Sequence, residues 1–266
     1  MCEIFVMIGT EGRKLEKEEV KEFLYHCLKS ADANPDGWGA MWEREQNGFM
    51  KSPEKFVEED IEKILIRYRG SRFFAFHTRL ATSPVNYWNA HPFTLNGFRG
   101  VHNGVVQVPG YHESVDSLSM FKKIEDNEGE TLKDKVAGAM SNVTGTYSVL
   151  LHSFNEDKLI YYRNSPNFDF MLSKSRKAIY GATRIHRLET LANLEFGFFP
   201  RIIEARPESK GIYEIDLNTG FFRKAGVIKE NSRIVYRNSP QGMHTKGWQA
   251  RVYGGQKPYD SDKGGY

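Results

Sequence analysis

The second residue of the chain is the one best suited to covalent chemistry. Cys2 directly follows Met1, and an initiator methionine is normally removed when the next residue is as small as cysteine. Removal would leave Cys2 with a free α-amine, whose ordinary pKa of about 7.7–8.0 suits it to act as general base for the thiol on the same residue. An ordinary small residue at a chain start is the alternative, and position alone does not decide between them.

Four polar clusters elsewhere contain the groups that amide hydrolysis at such a thiol would need. Arg79 offers a planar guanidinium suited to a carboxylate, although it could equally form a surface ion pair. Asn103 and Gly104 combine a side-chain amide with an unhindered backbone N–H, the composition of an oxyanion hole, although Asn-Gly also forms hairpin turns. Asp116 could bind an ammonium group or cap a helix. The four clusters are Phe76–Thr82, Asn89–Phe93, Val101–Val106 and Glu113–Ser117.

Taken together and in this order, the clusters resemble the class II glutamine amidotransferase domain, an N-terminal-nucleophile hydrolase. The middle block is especially similar to the glutaminase half of glucosamine-phosphate synthase. Asn34-Pro35-Asp36-Gly37-Trp38-Gly39 resembles the standalone, single-domain members, and it is either a loop over the site or a turn into a strand. The resemblance extends over roughly residues 2–220, and its later segments are Gly145–Leu151, Tyr162–Pro166 and Tyr180–Thr183.

The resemblance implies three catalytic residues. Cys2 would be the nucleophile with its own α-amine as the base, while Asn103 and the backbone N–H of Gly104 would stabilise the tetrahedral oxyanion. Two positions depart from the family pattern: Glu3 stands where many members have glycine, and Ser83 stands where a histidine or glycine often follows the threonine. Neither departure is expected to affect the nucleophile, binding or oxyanion roles.

The resemblance also implies a set of substrate-binding residues. Arg79 would bind the α-carboxylate of L-glutamine, with support from Thr82. Asp116 would hold the α-ammonium group, and His91 would have a positioning role near the rim of the pocket. Recognition of both charges would favour a free amino acid over a peptide.

The implied reaction is hydrolysis of the glutamine side-chain amide through a γ-glutamyl thioester, with no cofactor and no metal. In the family, the ammonia passes to an acceptor held by a synthase domain or subunit. Only about 46 residues follow position 220, fewer than most domains need to fold alone, so we expect a separate partner synthase. An N-terminal-nucleophile amidase acting on another amide, and a non-catalytic scaffold of the same fold, remain the alternatives.

Hydrophobic periodicity indicates the elements that must position these residues. An apolar strand over Ile4–Ile8 would hold Cys2 at its start. Helices are predicted at Glu16–Ser30, Pro53–Tyr68, Val115–Ile124, Thr131–Met140 and His186–Phe196. Strands are predicted at Arg72–His77, Phe98–His102, Tyr147–Phe154, Lys158–Tyr162, Phe168–Leu172, Ala178–Ala182, Arg201–Ala205 and Gly211–Leu217. These runs favour an α+β fold, and the resemblance implies a four-layer αββα sandwich.

Composition fits one such domain followed by a basic tail. The chain has 266 residues, 39% of them hydrophobic, and a formal net charge of +3, which is too balanced for a binder of polyanions over its whole surface. We predict the amidotransferase domain over residues 2–230 and a flexible, Gly-rich tail over 231–266. Residues 221–266 hold 9 Lys and Arg against 3 Asp and Glu, so the tail could dock a partner or nucleic acid, or remain a solvated tail.

Cysteine content and hydropathy bear on location. The two cysteines, Cys2 and Cys27, are too few for a disulfide framework or a zinc site built from several thiolates. The sequence shows no secretory signal and no apolar stretch of about 18 residues that would span a membrane. We therefore expect a cytoplasmic protein that does not bind membranes.

Overall fold

Two antiparallel sheets of six strands each form the centre of the part of the chain that the structure describes. The computed structural model describes residues 2–43, 48–165, 168–172, 177–184, 187–188 and 208–229. In chain order the elements are β1 Glu3–Gly9, α1 Lys17–Ala33, β2 Trp38–Trp42, β3 Phe49–Ser52, α2 Glu58–Arg67, β4 Phe73–Thr78, β5 Phe93–Leu95, β6 Phe98–Gln107, α3 Asp116–Asp126, α4 Leu132–Ala139, β7 Thr144–Ser153, β8 Lys158–Ser165, β9 Asp169–Leu172, β10 Ala178–Ala182, β11 Gly211–Asp216 and β12 Phe222–Val227. Single 3-10 turns lie at Thr10–Gly12 and Met140–Asn142.

The central strand of the first sheet explains the apolar run at the start of the chain. The order of this sheet is β3-β2-β4-β1-β10-β9, so β1 has a neighbour on each side. Phe5 and Met7 pack towards the helical side of the sheet, whereas Ile4, Val6 and Ile8 face the second sheet. Because both faces of β1 are covered, its residues do not alternate between apolar and polar, and the strand is hydrophobic along most of its length.

Helices cover the outer face of each sheet. α1 and α2 pack on the first sheet through side chains such as Phe23 and Ile64. α3 and α4 pack on the second sheet, whose order is β12-β11-β8-β7-β6-β5, through side chains such as Phe121 and Val136. A third cluster fills the space between the two sheets. The layers therefore run αββα, which confirms the predicted α+β sandwich.

The second helix begins later than its sequence pattern predicts. Pro53 and Glu54 belong to a turn in which the Ser52 hydroxyl accepts from the backbone N–H of Glu54 at 3.1 Å. The helix starts at Glu58, where the Asp60 carboxylate accepts from the backbone N–H of Val57 at 3.2 Å. The acidic residues Glu58, Glu59 and Asp60 thus form the first turn of the helix. There they interact favourably with the positive end of the helix dipole.

Three strands have no counterpart in the sequence-based predictions. β3, β5 and β12 each lie at an edge of their sheet, and most of their residues are only partly buried or exposed. Edge strands therefore lack the strong hydrophobic pattern by which central strands are recognised.

Several predictions fall where the structure describes little or nothing. The predicted strand Arg201–Ala205 and the basic tail over 231–266 lie outside the described residues, and so does nearly all of the predicted helix His186–Phe196. The domain boundary near residue 230 stays a prediction. Among the described helices, none combines the length and apolar character that crossing a membrane requires.

Candidate functional site

Strand pairing in the first sheet places Cys2 beside Arg79. β1 and β4 are antiparallel, and Glu3 lies opposite Thr78, so the residue before β1 meets the residues after β4. The Cys2 thiol accepts a hydrogen bond from the backbone N–H of Leu80 at 3.3 Å and lies 3.5 Å from the carbonyl oxygen of the same residue. A single register therefore brings the candidate nucleophile to the candidate carboxylate-binding group.

The second sheet and α3 supply the opposite wall. β6 carries Asn103 and Gly104, and the backbone N–H of Val106 on the same strand donates to the Asp116 carboxylate at 2.8 Å. Asp116 is the first residue of α3, and its other oxygen accepts from the N–H of Ser117 at 2.8 Å. These contacts secure the start of the helix and hold the Asp116 carboxylate against β6.

Every residue predicted for the site lines one cavity of about 90 Å³. The predicted residues are Cys2, Arg79, Thr82, His91, Asn103, Gly104 and Asp116, and the other lining residues are Leu80, Ser83, Asn89, His102, Val105, Val115 and Ser117. Residues separated by more than 100 positions in sequence thus meet at one end of the two sheets. The structure places the seven predicted residues together at this cavity.

Arg79 is buried, and it forms no ion pair with a described residue. Its guanidinium donates through Nη2 to the Ser83 hydroxyl at 2.8 Å and to the Ser83 carbonyl at 3.2 Å. Nη1 is buried without a hydrogen-bond partner among the described residues. Burial lowers the pKa of Arg79, and Coulomb attraction to Cys2, Asp36 and Asp116 opposes that shift. Arg79 is therefore a buried cation with one unpaired guanidinium nitrogen and does not form a surface ion pair with a described residue.

Thr82, expected to support Arg79, is an exposed residue on the cavity wall. The guanidinium donates instead to the hydroxyl and the carbonyl of Ser83. In the sequence Ser83 stands out only as a departure from the family pattern, and its contact with Arg79 corrects the expectation that this departure leaves the binding residues unaffected. Its hydroxyl, one position beyond the Arg-x-x-Thr segment, was the signal that could have identified it.

The thiol of Cys2 is half-buried and needs a base to ionise fully at neutral pH. Burial raises the pKa of Cys2, while the hydrogen bond from the Leu80 N–H and attraction to Arg79 oppose the rise. A thiolate at this position would thus form in a partly desolvated site that already contains a donor and a cation. These are the conditions under which an adjacent amine can activate a nucleophile.

Asn103 and Gly104 lie within β6 and not in a hairpin turn. Gly104 has φ +143°, and a Cβ placed on it would lie 2.0 Å from the carbonyl oxygen of Thr146 on β7. The Asn103 Oδ1 is buried without a hydrogen-bond partner among the described residues. Glycine is therefore required by both conformation and space, and Asn103 lines the cavity with an unpaired acceptor, whereas the oxyanion role would fall to its Nδ2 donor.

Three buried histidines pack beside the cavity. His77 on β4 bonds through Nε2 to the His102 carbonyl on β6 at 3.1 Å, which links the two sheets. The His91 ring centroid lies 4.3 Å from that of His77, and both of its nitrogens are buried without partners in the described structure. His91 is only 5% exposed, so it lies deeper than the predicted rim position.

The histidine rings are uncharged at neutral pH. Burial lowers the pKa of His77 to about 3, and burial also lowers the pKa values of His91 and His102. Within the described residues, no group of three or more His, Cys, Asp or Glu side chains is arranged to hold a metal ion. Two of these uncharged rings, His91 and His102, line the cavity, and His77 packs against His91.

Asn89 is a lining residue to which sequence analysis gave no role, although its cluster was noted. Its Nδ2 donates to the Pro84 carbonyl at 3.0 Å, and its Oδ1 accepts from the Ser114 hydroxyl at 2.8 Å. It thus connects the segment that contacts Arg79 with the segment that leads into α3. Only the folded chain shows this link, because the partners lie 5 and 25 positions away.

Comparison with solved structures identifies the fold. Glutamine phosphoribosylpyrophosphate amidotransferase from B. subtilis, complexed with ADP and GMP, is 16% identical with a TM-score of 0.61, over 85% of this chain and 50% of that chain. A structure described as the allosteric regulatory enzyme of purine biosynthesis is 16% identical with a TM-score of 0.61, over 84% of this chain and 49% of that one. A glutamine aminotransferase class-II domain protein from Silicibacter pomeroyi is 13% identical with a TM-score of 0.50, over 84% of this chain and 99% of that one.

These likenesses establish the fold and no more at such low identity. This chain spans about half the length of the first two solved chains. No family model matches it, and no curated protein does. The fold that the sequence resemblance implied, that of the class II glutamine amidotransferase domain, is confirmed.

Proposed function

We propose that this chain is a class II glutamine amidotransferase that hydrolyses the side-chain amide of L-glutamine with Cys2 as the nucleophile. The observation that carries the proposal is that Arg79, a buried cation whose Nη1 has no hydrogen-bond partner among the described residues, lines the same cavity as Cys2. A cation buried with unused donors favours an anionic ligand, and Asp116 on the opposite wall provides the opposite charge. A free α-amino acid has both charges that this cavity would recognise.

The chemistry follows from the groups that line the cavity. The Cys2 thiolate attacks the amide carbon of glutamine, after its proton passes to the α-amine that removal of Met1 exposes. The oxyanion that develops is stabilised by the Asn103 amide and the Gly104 N–H. The C–N bond then breaks and the protonated amine gives its proton to the leaving ammonia. Water hydrolyses the γ-glutamyl thioester, which releases glutamate and restores the thiol.

The other predicted residues hold the substrate. Arg79 binds the α-carboxylate, in an orientation fixed by Ser83, and Asp116 binds the α-ammonium. Thr82 contributes to the exposed wall, and the buried His91 shapes the cavity floor without carrying charge. No cofactor takes part in any of these steps.

The ammonia is delivered to a separate partner synthase. The support for this part is the sequence resemblance, because in that family the ammonia passes to an acceptor held by a synthase domain or subunit. Isolation of the chain with a partner whose nitrogen acceptor stimulates glutamine hydrolysis would support delivery. A chain that is purified alone and turns over glutamine at full rate would count against it.

The first test addresses the nucleophile. The intact mass of the protein is recorded before and after incubation with 6-diazo-5-oxonorleucine, a glutamine-shaped electrophile, for the wild type, Cys2→Ala and Cys27→Ala. Cys27 is the matched control, since it is the other cysteine of the chain and is fully buried. We expect loss of Met1 and one adduct on Cys2 in the wild type and in Cys27→Ala, and none in Cys2→Ala. Retained Met1, or no adduct on Cys2, would refute the proposal.

A further inference from the structure

The segment of residues 34–37, which joins α1 to β2, lies against the backbone of Arg79. Pro35 forms an isolated parallel bridge with Arg79. The backbone N–H of Asp36 donates to the Arg79 carbonyl at 3.0 Å, and the Arg79 N–H donates to the Gly37 carbonyl at 2.8 Å. Both backbone hydrogen-bonding groups of Arg79 are therefore bound by this segment, which turns into β2 and does not form a loop over the site.

The side chain of Asp36 extends the same contact beyond Arg79. Its Oδ2 accepts a hydrogen bond from the backbone N–H of Ala81 at 2.8 Å. Leu80, whose N–H donates to the Cys2 thiol at 3.3 Å, lies between these two anchored residues. The backbone bonds fix the chain before Leu80 and the carboxylate fixes it after Leu80. The orientation of the Leu80 amide towards sulfur thus depends on Asp36.

The segment is itself tightly held, so it can serve as a fixed support. The Asn34 amide donates to the Thr78 hydroxyl at 3.2 Å. Gly37 has φ +134°, and a Cβ on it would lie 2.9 Å from the Ser52 carbonyl. A Cβ on Gly39 would lie 1.9 Å from the carbonyl oxygen of His91. These close approaches leave little room for the segment to shift.

We propose that Asp36 is a positioning residue, which orients the Leu80 amide towards Cys2 and holds Arg79 in the cavity without touching substrate itself. The inference rests on the proposed function and deepens it, because Asp36 would keep the nucleophile Cys2 and the carboxylate-binding Arg79 correctly placed relative to each other. Hydrogen bonds from backbone amides favour the thiolate over the thiol. Loss of the Asp36 carboxylate should therefore affect the thiol and glutamine binding together.

The test compares Asp36→Ala and Asp36→Asn with Asp32→Ala. Asn keeps a side-chain oxygen that can accept from the Ala81 N–H, so it is the conservative variant. Asp32 is the matched control, since it is an exposed aspartate on α1 whose carboxylate pairs with Lys55 at 2.8 Å. If Asp36→Ala does not fold, as judged by circular dichroism and thermal unfolding, Asp36→Ser replaces it, because its hydroxyl is one bond shorter than the carboxylate.

Two readouts separate positioning from a merely structural role. The first is the rate of Cys2 alkylation by iodoacetamide as a function of pH, with the adduct mapped by peptide mass spectrometry. The second is the KM for glutamine compared with kcat. For Asp36→Ala we expect a rise in the apparent thiol pKa that slows alkylation near pH 7.5 by at least about threefold, and a KM rise of about fivefold or more that exceeds the change in kcat.

Asp36→Asn and Asp32→Ala should stay within about twofold of the wild type on both readouts. The inference is overturned if Asp36→Ala behaves like the wild type, if Asp36→Asn loses as much as Asp36→Ala, or if Asp32→Ala shows the same losses. Alkylation does not require glutamine turnover. A wild type whose Cys2 takes up no 6-diazo-5-oxonorleucine, but whose alkylation by iodoacetamide depends on Asp36 as described, would refute the proposed function and leave the positioning role standing.

Discussion

Replacement of Gly104 by alanine should disrupt the candidate oxyanion site and destabilise the second sheet. The residue has φ +143°, in a region that L-residues other than glycine rarely adopt. A Cβ at this position would lie 2.0 Å from the Thr146 carbonyl oxygen and 2.7 Å from its carbonyl carbon. Both contacts are to backbone atoms, so no side-chain rotation can relieve them.

The expected cost has two parts. Holding alanine at this backbone conformation costs roughly 1–3 kcal/mol. Moving the Cβ to an ordinary contact distance requires β6 and β7 to separate by about 1 Å, which weakens at least one or two ladder hydrogen bonds worth roughly 1 kcal/mol each. The total of roughly 2–5 kcal/mol is a large part of the stability of an ordinary domain.

Gly110→Ala is the control that separates these two parts. Gly110 also has a positive φ, +82°, but a Cβ on it would meet nothing within 4 Å. Thermal unfolding should therefore place Gly104→Ala below Gly110→Ala by about 2–4 °C for each kcal/mol of steric cost. Labelling of Cys2 by 6-diazo-5-oxonorleucine at a temperature where both variants are folded should be lost only in Gly104→Ala. Equal melting temperatures with equal labelling would refute the reasoning.

Two further predictions concern charge. Arg79→Lys keeps the cation but loses the planar pair of donors. The KM for glutamine in steady-state assays should therefore rise by roughly tenfold or more, as expected for loss of a charge-assisted hydrogen bond. An unchanged KM would contradict carboxylate binding by Arg79. Because burial lowers the pKa of His77 to about 3, only the unfolded state takes up its proton as the pH falls below about 6.5, and stability is lost in that direction. Between pH 7 and pH 5, the free energy of unfolding from denaturant titrations should therefore fall by about 2 kcal/mol less in His77→Asn than in the wild type. Equal falls would show that folding does not lower the pKa of His77.

The buried elements could be predicted from sequence because their residues carry a strong hydrophobic pattern. β1 and α1 were located to within a few residues, since Phe5, Val20 and Phe23 repeat at strand or helix spacing. The start of α2 was misplaced by five residues, because a proline and acidic side chains suit a turn as well as a first helical turn. The edge strand β12 was missed, because five of its six residues are exposed or only partly buried.

The candidate site was also predictable only in part. The motifs that follow Cys2 predicted seven site residues, and each of the seven lines the cavity. Ser83 and Asn89 were given no role, because their importance depends on contacts with Arg79 and Ser114. A hydroxyl or an amide in a loop carries no periodic signal, so its partner appears only in the folded chain.

The sequence by itself determined which chemical groups are available: a thiol at the second position, a guanidinium, an Asn-Gly pair and a carboxylate, on segments with definite strand or helix character. Tertiary structure alone decided how those groups are used. The β1–β4 register brings Cys2 to Arg79 and the Leu80 amide, and burial leaves one guanidinium nitrogen without a partner in the described structure. The physical reason is that composition and local pattern fix conformational preferences, whereas desolvation and hydrogen-bond pairing depend on residues far apart in sequence.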